Sequence, residues 1–234
     1  MAVDDSYTKV LLHMGGIDAS TTFIDESGKT WTASGHAQID TAQYKFGGAS
    51  GLFDGNGDDY ISTPISSDFA LTNGDFTVDF WMRAPAFNAY STICMTSTIG
   101  NQRSWGVNIS GGTALNFYYS VDGINDPAFP SVSYTFSTNT WYHIAVSRTG
   151  GKIYFFVNGI LINIGGTALT ATFFTATSGG MYIGRFADYT PSTHAWNGWV
   201  DEFRLSKGIA RWISDFTPPT QPYGGSILPQ MWFF

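Results

Sequence analysis

Carboxylate pairs are the first feature of this chain that could do chemistry. A retaining glycosidase needs two carboxylates about 5 Å apart, and on a strand two carboxylates share a face only when one or three positions separate them. Asp201 and Glu202 are adjacent and point to opposite faces of a regular strand. Asp75 and Asp79 flank apolar residues and have no Glu partner. A hydrolase is therefore disfavoured, although a pair assembled across strands stays open.

Histidine and cysteine are too sparse in this chain to suggest a zinc site or a nucleophile. Cys94 is the single cysteine, so no intrachain disulfide can form, and no His/Cys motif surrounds it. We expect it to be a small buried apolar residue. The four histidines are far apart in the sequence, and each is expected to be structural: His13, His36, His143 and His194.

Aromatic side chains offer a third kind of chemistry, because their rings stack on sugar faces while polar neighbours bind the hydroxyl groups. Phe, Trp and Tyr make up 17% of the chain, so most of them must pack in a core or on a sheet. A structural role therefore stays open for each candidate. The aromatic and histidine residues in or beside predicted loops that could bind a glycan are Trp105, Tyr118, Tyr119, Tyr189, His194 and Trp196.

The composition restricts the class of protein. The chain has 234 residues, of which only 12% are charged and 27 are glycine, a balance typical of many short strands joined by turns. Its formal net charge is −7 and its Lys and Arg residues do not cluster, which argues against a nucleic-acid partner. The N-terminal residues lack the pattern of a signal peptide, and no apolar stretch could span a bilayer. We expect synthesis in the cytosol and no membrane partner.

Residues 141–159 (WYHIAVSRTGGKIYFFVNG) are the stretch around which the predicted elements are arranged. Ile144 and Val146 alternate with polar and small residues, as on a half-buried strand. Gly150-Gly151 and Asn158-Gly159 are typical hairpin turns, because glycine and asparagine accept positive φ angles. The pattern predicts a meander of at least three antiparallel strands.

Further runs of β-forming residues predict an all-β protein. We expect one domain over residues 1–223, a single helical turn within residues 206–212, and an apolar C-terminal tail over residues 224–234. The strand candidates outside the meander are residues 7–14, 50–53, 60–63, 75–83, 91–96, 104–110, 114–120, 132–136, 181–186 and 198–205.

The tail carries large apolar side chains that are costly to leave in water. Two interpretations stay equal: the tail folds back on a sheet of its own chain, or it inserts into another subunit or a partner protein. The residues predicted to dock on a partner are Ile227, Leu228, Met231, Trp232, Phe233 and Phe234.

The ordered motifs of the chain resemble a known family. LLHM, DESG, KFGGASGLFDGNGDDYIS, GDFTVDFWMR, WYHIAVSRTGGKIYFFVNG, YIGR and WVDEFRLSKGIAR follow one another as in the concanavalin A-like lectin/glucanase superfamily. Within it they are similar to the laminin-G-like (LamG type 3) branch found in bacteriophage structural and tail proteins. The resemblance implies a jelly-roll β-sandwich of two antiparallel sheets, one of them concave. The E-x-D-x-x-E run of the glucanases is missing.

The resemblance also implies a structural calcium ion between the first loop and the last strand. The matching positions are Asp25 and Gly28 of the DESG turn and Asp201 of VDEFR. Calcium takes six to eight hard oxygen ligands, so a loop and a distant carboxylate suit it. Gly15 or Gly16 stands where the family often has an Asp, and an Asp-rich turn that binds its own backbone is an equal alternative.

Three functions follow as expectations. The first is a non-catalytic virion structural or accessory protein of decoration or fibre type, made in the host cytoplasm. It would form homo-oligomers and dock on capsid or tail proteins. The second is a free carbohydrate-binding or host-adhesion lectin that recognises host-surface glycans. The third, disfavoured for lack of a carboxylate motif, is a glycoside hydrolase.

Overall fold

A computed structural model describes residues 5–97, 102–125, 129–186 and 192–224, and these residues form a β-sandwich. Sixteen strands make two antiparallel sheets, and the short 3-10 helices are Ser67–Phe69 and Ser192–His194. The predicted all-β, two-sheet sandwich is confirmed. The described residues contain no helix with the length and apolar character needed to cross a membrane.

Sheet I contains nine strands: β1 (Thr8–Leu12), β3 (Gln38–Asp40), β4 (Ser50–Asp54), β6 (Phe76–Arg83), β11 (Tyr142–Thr149), β12 (Lys152–Val157), β13 (Ile160–Leu161), β14 (Thr167–Ala168) and β16 (Asn197–Lys207). They pair in the order β13-β12-β11-β6-β16-β4-β3, with β1 beside β16 and β14 beside β12. The long strand β16 therefore has β6 on one side and shares its other side between β4 and β1.

Sheet II contains seven strands: β2 (Thr32–Ser34), β5 (Tyr60–Pro64), β7 (Ser91–Ser97), β8 (Trp105–Ser110), β9 (Ala114–Tyr119), β10 (Ser131–Ser133) and β15 (Gly180–Ile183). They pair in the order β10-β9-β8-β7-β15-β5-β2.

The core lies between the sheets and is built by side chains that alternate along each strand. On β6, Phe76, Val78 and Phe80 point into it, and Val78 is opposite Val146 of β11. Cys94 is fully buried there, and burial raises the pKa of its thiol to about 12, which agrees with the predicted inert role.

The predicted meander is confirmed as β11, β12 and β13. Both turns have the positive φ angles of hairpin turns, with values of 50° at Asn158 and 78° at Gly159. Gly159 has a second constraint, because a Cβ atom there would lie 2.0 Å from the carbonyl oxygen of Phe216. Glycine at this position therefore lets residues 209–224, the C-terminal segment, approach sheet I closely.

Several details of the predicted elements were wrong. Residues 206–212 form no helical turn, because β16 continues to Lys207 and the chain then runs irregularly. Only Ser131–Ser133 is a strand in the region predicted for residues 132–136. Strands β2 and β3 had no predicted counterpart, since three residues are too few to show a period. The tail residues 225–234 lie outside the described residues.

Candidate functional site

The face of sheet I that points away from the core carries most of the polar side chains that could do chemistry. Strands β6 and β16 pair along this outer face, so neighbouring residues form a series of pairs. Glu202, with a φ of 50°, occupies a bulge between the Asp79–Arg204 pair and the Trp81–Asp201 pair. The pairs are Thr77 with Ser206, Asp79 with Arg204, Trp81 with Asp201, and Arg83 with Trp199.

The C-terminal segment covers one end of this face, which we call the covered end. There the Arg204 guanidinium donates two hydrogen bonds of 3.0 Å to the Asp79 carboxylate, and the Tyr223 hydroxyl donates a third. Burial alone would raise the pKa of Asp79, but the charge and hydrogen bonds of Arg204, together with the interaction with His143, outweigh it and hold that pKa at about 2. The pair is therefore ionised, buried and internally satisfied.

His143 lies beside this ion pair and is fully buried. Burial lowers the pKa of its imidazole, although Asp79 acts in the opposite direction. The rings of Trp212 and Phe216, stacked 3.9 Å apart, pack with their edges against His143. A neutral, aromatic-capped histidine of this kind is structural, as predicted for it.

A cavity of about 560 Å³ lies between the C-terminal segment and sheet I. Two arginines line it, but Arg204 is paired with Asp79, and Arg211 donates hydrogen bonds to both carboxylate oxygens of Asp5. Because these charges are already neutralised, the cavity offers a ligand little unpaired polar chemistry.

The middle of the face is covered by Lys45 and Phe46. The Lys45 ammonium lies 4.0 Å from the ring centre of Trp81, and Phe46 packs edge-on against the same indole. Oδ2 of Asp201 accepts the N–H groups of Lys45 and Phe46, whereas its Oδ1 is buried without a hydrogen-bond partner. Burial raises the pKa of Asp201 to about 7 against these two backbone donors.

No segment among the described residues covers the opposite end of the face, and the register places a row of side chains across it. Leu52 of β4 is opposite both Gln38 of β3 and Trp199 of β16, and Trp199 is opposite Arg83 of β6. All four are partly exposed. We call Gln38, Leu52, Trp199 and Arg83 the open row.

Polar groups hold the open row in place. The indole Nε1–H of Trp199 donates to Oδ2 of Asp40 at 2.5 Å, and the Arg83 guanidinium lies 5.2 Å from the Trp199 ring centre. Arg83 also donates to Oδ1 of Asn139 at 3.1 Å. A flat apolar ring, flanked by an arginine, an amide and a carboxylate, can stack on a sugar and bind its hydroxyl groups.

Two of the predicted glycan-binding residues, Trp105 and Trp196, were expected to be accessible, and this prediction was wrong. Trp105 and Trp196 are fully buried in the core, and Trp105 donates its indole N–H to the backbone oxygen of Phe69. The prediction failed because Trp105 begins β8 and Trp196 directly precedes β16, and both side chains point into the core.

The other predicted aromatic residues lie on or near sheet II. Tyr118 is 4% exposed and packs against Phe186, and Tyr119 packs on the core residue Phe173. His194 is partly exposed and stacks on Tyr90 with ring centres 4.9 Å apart. Tyr189 lies outside the described residues. The structure therefore does not bring the predicted set together on one surface.

Asp25, Gly28 and Asp201, the residues that the family resemblance matches to a calcium site, differ from one another in their hydrogen-bond partners. The Asp25 carboxylate accepts hydrogen bonds from the backbone of Leu11, from Ser27 and from the Trp31 indole, donors that a cation would have to displace. Gly28 donates its N–H to the backbone oxygen of Asp25. Asp201 alone offers a buried oxygen free of hydrogen bonds, as a missing cation would leave it.

The open row was missed at the sequence level. Trp199 alternates with the core residue Val200, and that alternation places its ring on the outer face. The signal was therefore present, but only the register across four strands shows that Gln38 and Arg83 lie in the same row.

A family profile described as the concanavalin A-like lectin/glucanases superfamily, of the laminin G type, matches residues 54–210. A comparison with curated protein sequences gives no match.

Solved structures share the fold at low sequence identity. Domain 4 of AbnA, an extracellular arabinanase from Geobacillus stearothermophilus, in complex with arabinotriose, is 15% identical with a TM-score of 0.60, and the match covers 88% of this chain and 95% of that domain. The binding domain of Paraclostridial Mosquitocidal Protein 1 is 14% identical with a TM-score of 0.61. The binding domain of Botulinum Neurotoxin DC in complex with SialylT is 16% identical with a TM-score of 0.59.

The two matches to toxin domains named above each cover 87% of this chain but only 49% of the toxin domain, so the chain spans about half the length of these structures. At these identities the likeness shows the fold alone.

Proposed function

The chain belongs to the concanavalin A-like lectin/glucanases superfamily, and from that premise we propose that it is a non-catalytic carbohydrate-binding module. The observation that carries the proposal is the open row, in which the Trp199 ring lies between Arg83 and Leu52 on a sheet face with no covering segment among the described residues. Saccharides bound to structures of the same fold support the substrate class.

The row suits a short stretch of an extended glycan rather than a deep single-sugar pocket. Neighbouring strands are about 4.8 Å apart, so four adjacent residues extend across roughly 14 Å, the length of a few sugar units. The guanidinium of Arg83 and the amide of Gln38 are donors on either side of the indole, and Asp40 and Asn139 add acceptors at its edge.

The absence of catalysis is part of this proposal. A retaining hydrolase needs an acid and a nucleophile about 5 Å apart on an accessible surface. Beside the open row, the Asp40 carboxylate accepts the hydrogen bond of the Trp199 indole. Asp79, Asp201 and Glu202 are buried.

A glycan array followed by calorimetry tests the proposal. We expect the wild-type chain to bind a defined class of oligosaccharides with micromolar to millimolar affinity, and arabinotriose and sialylated host-type glycans are the first probes. The oligosaccharides should be recovered without cleavage. No binding on the array, with and without added calcium, would contradict the proposal, as would release of shorter products.

We further propose that the module is displayed on a virion, as a homo-oligomer attached to capsid or tail proteins. The motifs shared with the phage-type branch and the apolar sequence of the tail support this role. Mass spectrometry of purified particles from the source tests it, because a structural protein is present in stoichiometric amount. Absence from the particles would leave only the free lectin.

Calcium binding is a separate proposal, supported by the unpartnered Oδ1 of Asp201. We expect calcium to raise the melting temperature and EDTA to lower it, with no response in Asp201→Asn. An unchanged melting temperature in the wild type would refute it.

A further inference from the structure

A second group of side chains lies at the edge where the two sheets meet. Asp54 is the last residue of β4 in sheet I, and Asp59 directly precedes β5 in sheet II. His36, in the connection between β2 and β3, has its Nδ1 atom 3.3 Å from Oδ2 of Asp54 and 3.6 Å from Oδ1 of Asp59. We propose that His36, Asp54 and Asp59 bind one divalent transition-metal ion, with Zn²⁺ the best fit.

The distances between the donor atoms match the size of such an ion. Zinc binds nitrogen and oxygen ligands at about 2.0–2.2 Å in a tetrahedron, so two of its ligand atoms lie about 3.3–3.6 Å apart. The two separations measured from the His36 nitrogen have these values. These two separations therefore allow the His36 nitrogen to share one ion with an oxygen of each carboxylate.

The two carboxylates influence each other's pKa. Burial would raise the pKa of Asp54, but its contacts with Asp59 and Asn56 lower it. Burial raises the pKa of Asp59, and the contact with Asp54 acts in the same direction, although the N–H of His36 opposes it. A divalent cation between them would compensate the negative charge of both carboxylates.

The surroundings fix the buried ligand and leave the site accessible. The Asp59 carboxylate is completely buried and accepts the backbone N–H groups of His36 and Asp54, which orient it and leave further lone pairs for an ion. The His36 side chain is 75% exposed, so the fourth coordination position opens to solvent.

The kind of donor selects the ion. Calcium and magnesium prefer sets of oxygen ligands, whereas an imidazole nitrogen with carboxylates suits zinc and its neighbours in the first transition series. The ion would join the β2–β3 and β4–β5 connections and so fasten sheet I to sheet II at this edge. This role is independent of glycan binding at the open row.

Calorimetric titration of zinc chloride into the untagged, EDTA-treated chain at pH 7 tests the proposal. We expect one ion to bind per chain, with a higher melting temperature. His36→Gln removes an exposed ligand that has no packing role and should weaken binding by more than about 10-fold. Asp58→Asn, which removes an exposed charge of the same turn that is no ligand, is the matched control and should bind as the wild type does.

Two results would overturn the proposal. One is no saturable one-to-one binding by the wild type. The other is binding that His36→Gln leaves unchanged, because zinc would then be held elsewhere on the surface. Calcium titrated in the same way should bind equally to the wild type and to His36→Gln. This result would separate the zinc site from the calcium site proposed at Asp201.

Discussion

The two ends of the outer face of sheet I are built on the same pair of strands and differ in what lies over them. At the covered end, Asp79 and Arg204 form an ion pair under Trp212, Phe216 and Tyr223. At the open row, four residues further along β6, Arg83 lies beside the partly exposed Trp199. Both ends combine arginine with aromatic rings.

The difference shows how a covering segment changes the role of the same residue types. At the covered end, where water is excluded, Arg204 is paired with the Asp79 carboxylate, and this pair fixes the local structure. Where water has access, the guanidinium and the ring keep part of their surfaces free for a ligand. The covered end is therefore expected to determine stability, and the open row to determine binding.

The largest effect is expected from breaking the buried ion pair. Arg204→Met should lower the free energy of unfolding by about 3–5 kcal/mol, because the Asp79 carboxylate would remain buried without its partner. Arg83→Met, the matched change at the open row, should cost less than about 1 kcal/mol. Urea unfolding of both variants measures the difference, and equal losses would break the distinction between the two ends.

Replacing Trp212 at the covered end should also lower the free energy of unfolding more than replacing Trp199 in the open row, but the difference should be smaller than for the two arginines. Trp212→Ala removes a ring stacked on Phe216 and packed against His143, and we expect a loss of about 2–3 kcal/mol. Trp199→Ala removes a partly exposed ring and should cost about 1 kcal/mol or less. The same unfolding assay measures both, and a larger loss for Trp199→Ala would show that the open row is structural.

Acid should weaken the covered end through His143. Its folded pKa lies below its unfolded value, so its contribution to stability is present above the unfolded pKa of about 6.5 and is lost as the pH falls below that value. His143→Gln should therefore lose less stability than the wild type between pH 7 and pH 5, as measured by urea unfolding at each pH.

His13 supplies the control for that measurement. Its hydrogen bond to Glu202 raises its pKa, so its contribution is present below the unfolded pKa and is lost as the pH rises through the folded pKa. The free energy of unfolding of His13→Gln should therefore fall more steeply between pH 7 and pH 5 than that of the wild type. The same change of slope in both variants would contradict the assignment of opposite environments.

The fold could be predicted from the sequence because its signals are local. Alternation along β6 and the glycine turns of the meander each occupy a few consecutive residues, and the structure confirms both. The predicted helical turn at residues 206–212 failed because pairing with β1 and β6 extends β16 beyond the local preference.

The candidate site could not be predicted in the same way. Trp105 and Trp196 looked accessible because exposure depends on which face a sheet turns to the core. The open row unites four strands whose residues span positions 38 to 199, and the group formed by His36 with two carboxylates unites two sheets. Only the register and the packing of distant segments bring such residues together.

The most direct test of the account is the affinity of Trp199→Ala for the oligosaccharide that the wild type binds best on the array, measured by calorimetry. We predict that binding weakens about 10-fold or more, equivalent to about 1.4 kcal/mol, while Tyr90→Ala, which removes an exposed ring just before β7 of sheet II, binds as the wild type does. Unchanged affinity in Trp199→Ala, or a loss confined to Tyr90→Ala, would contradict the assignment of glycan binding to the open row.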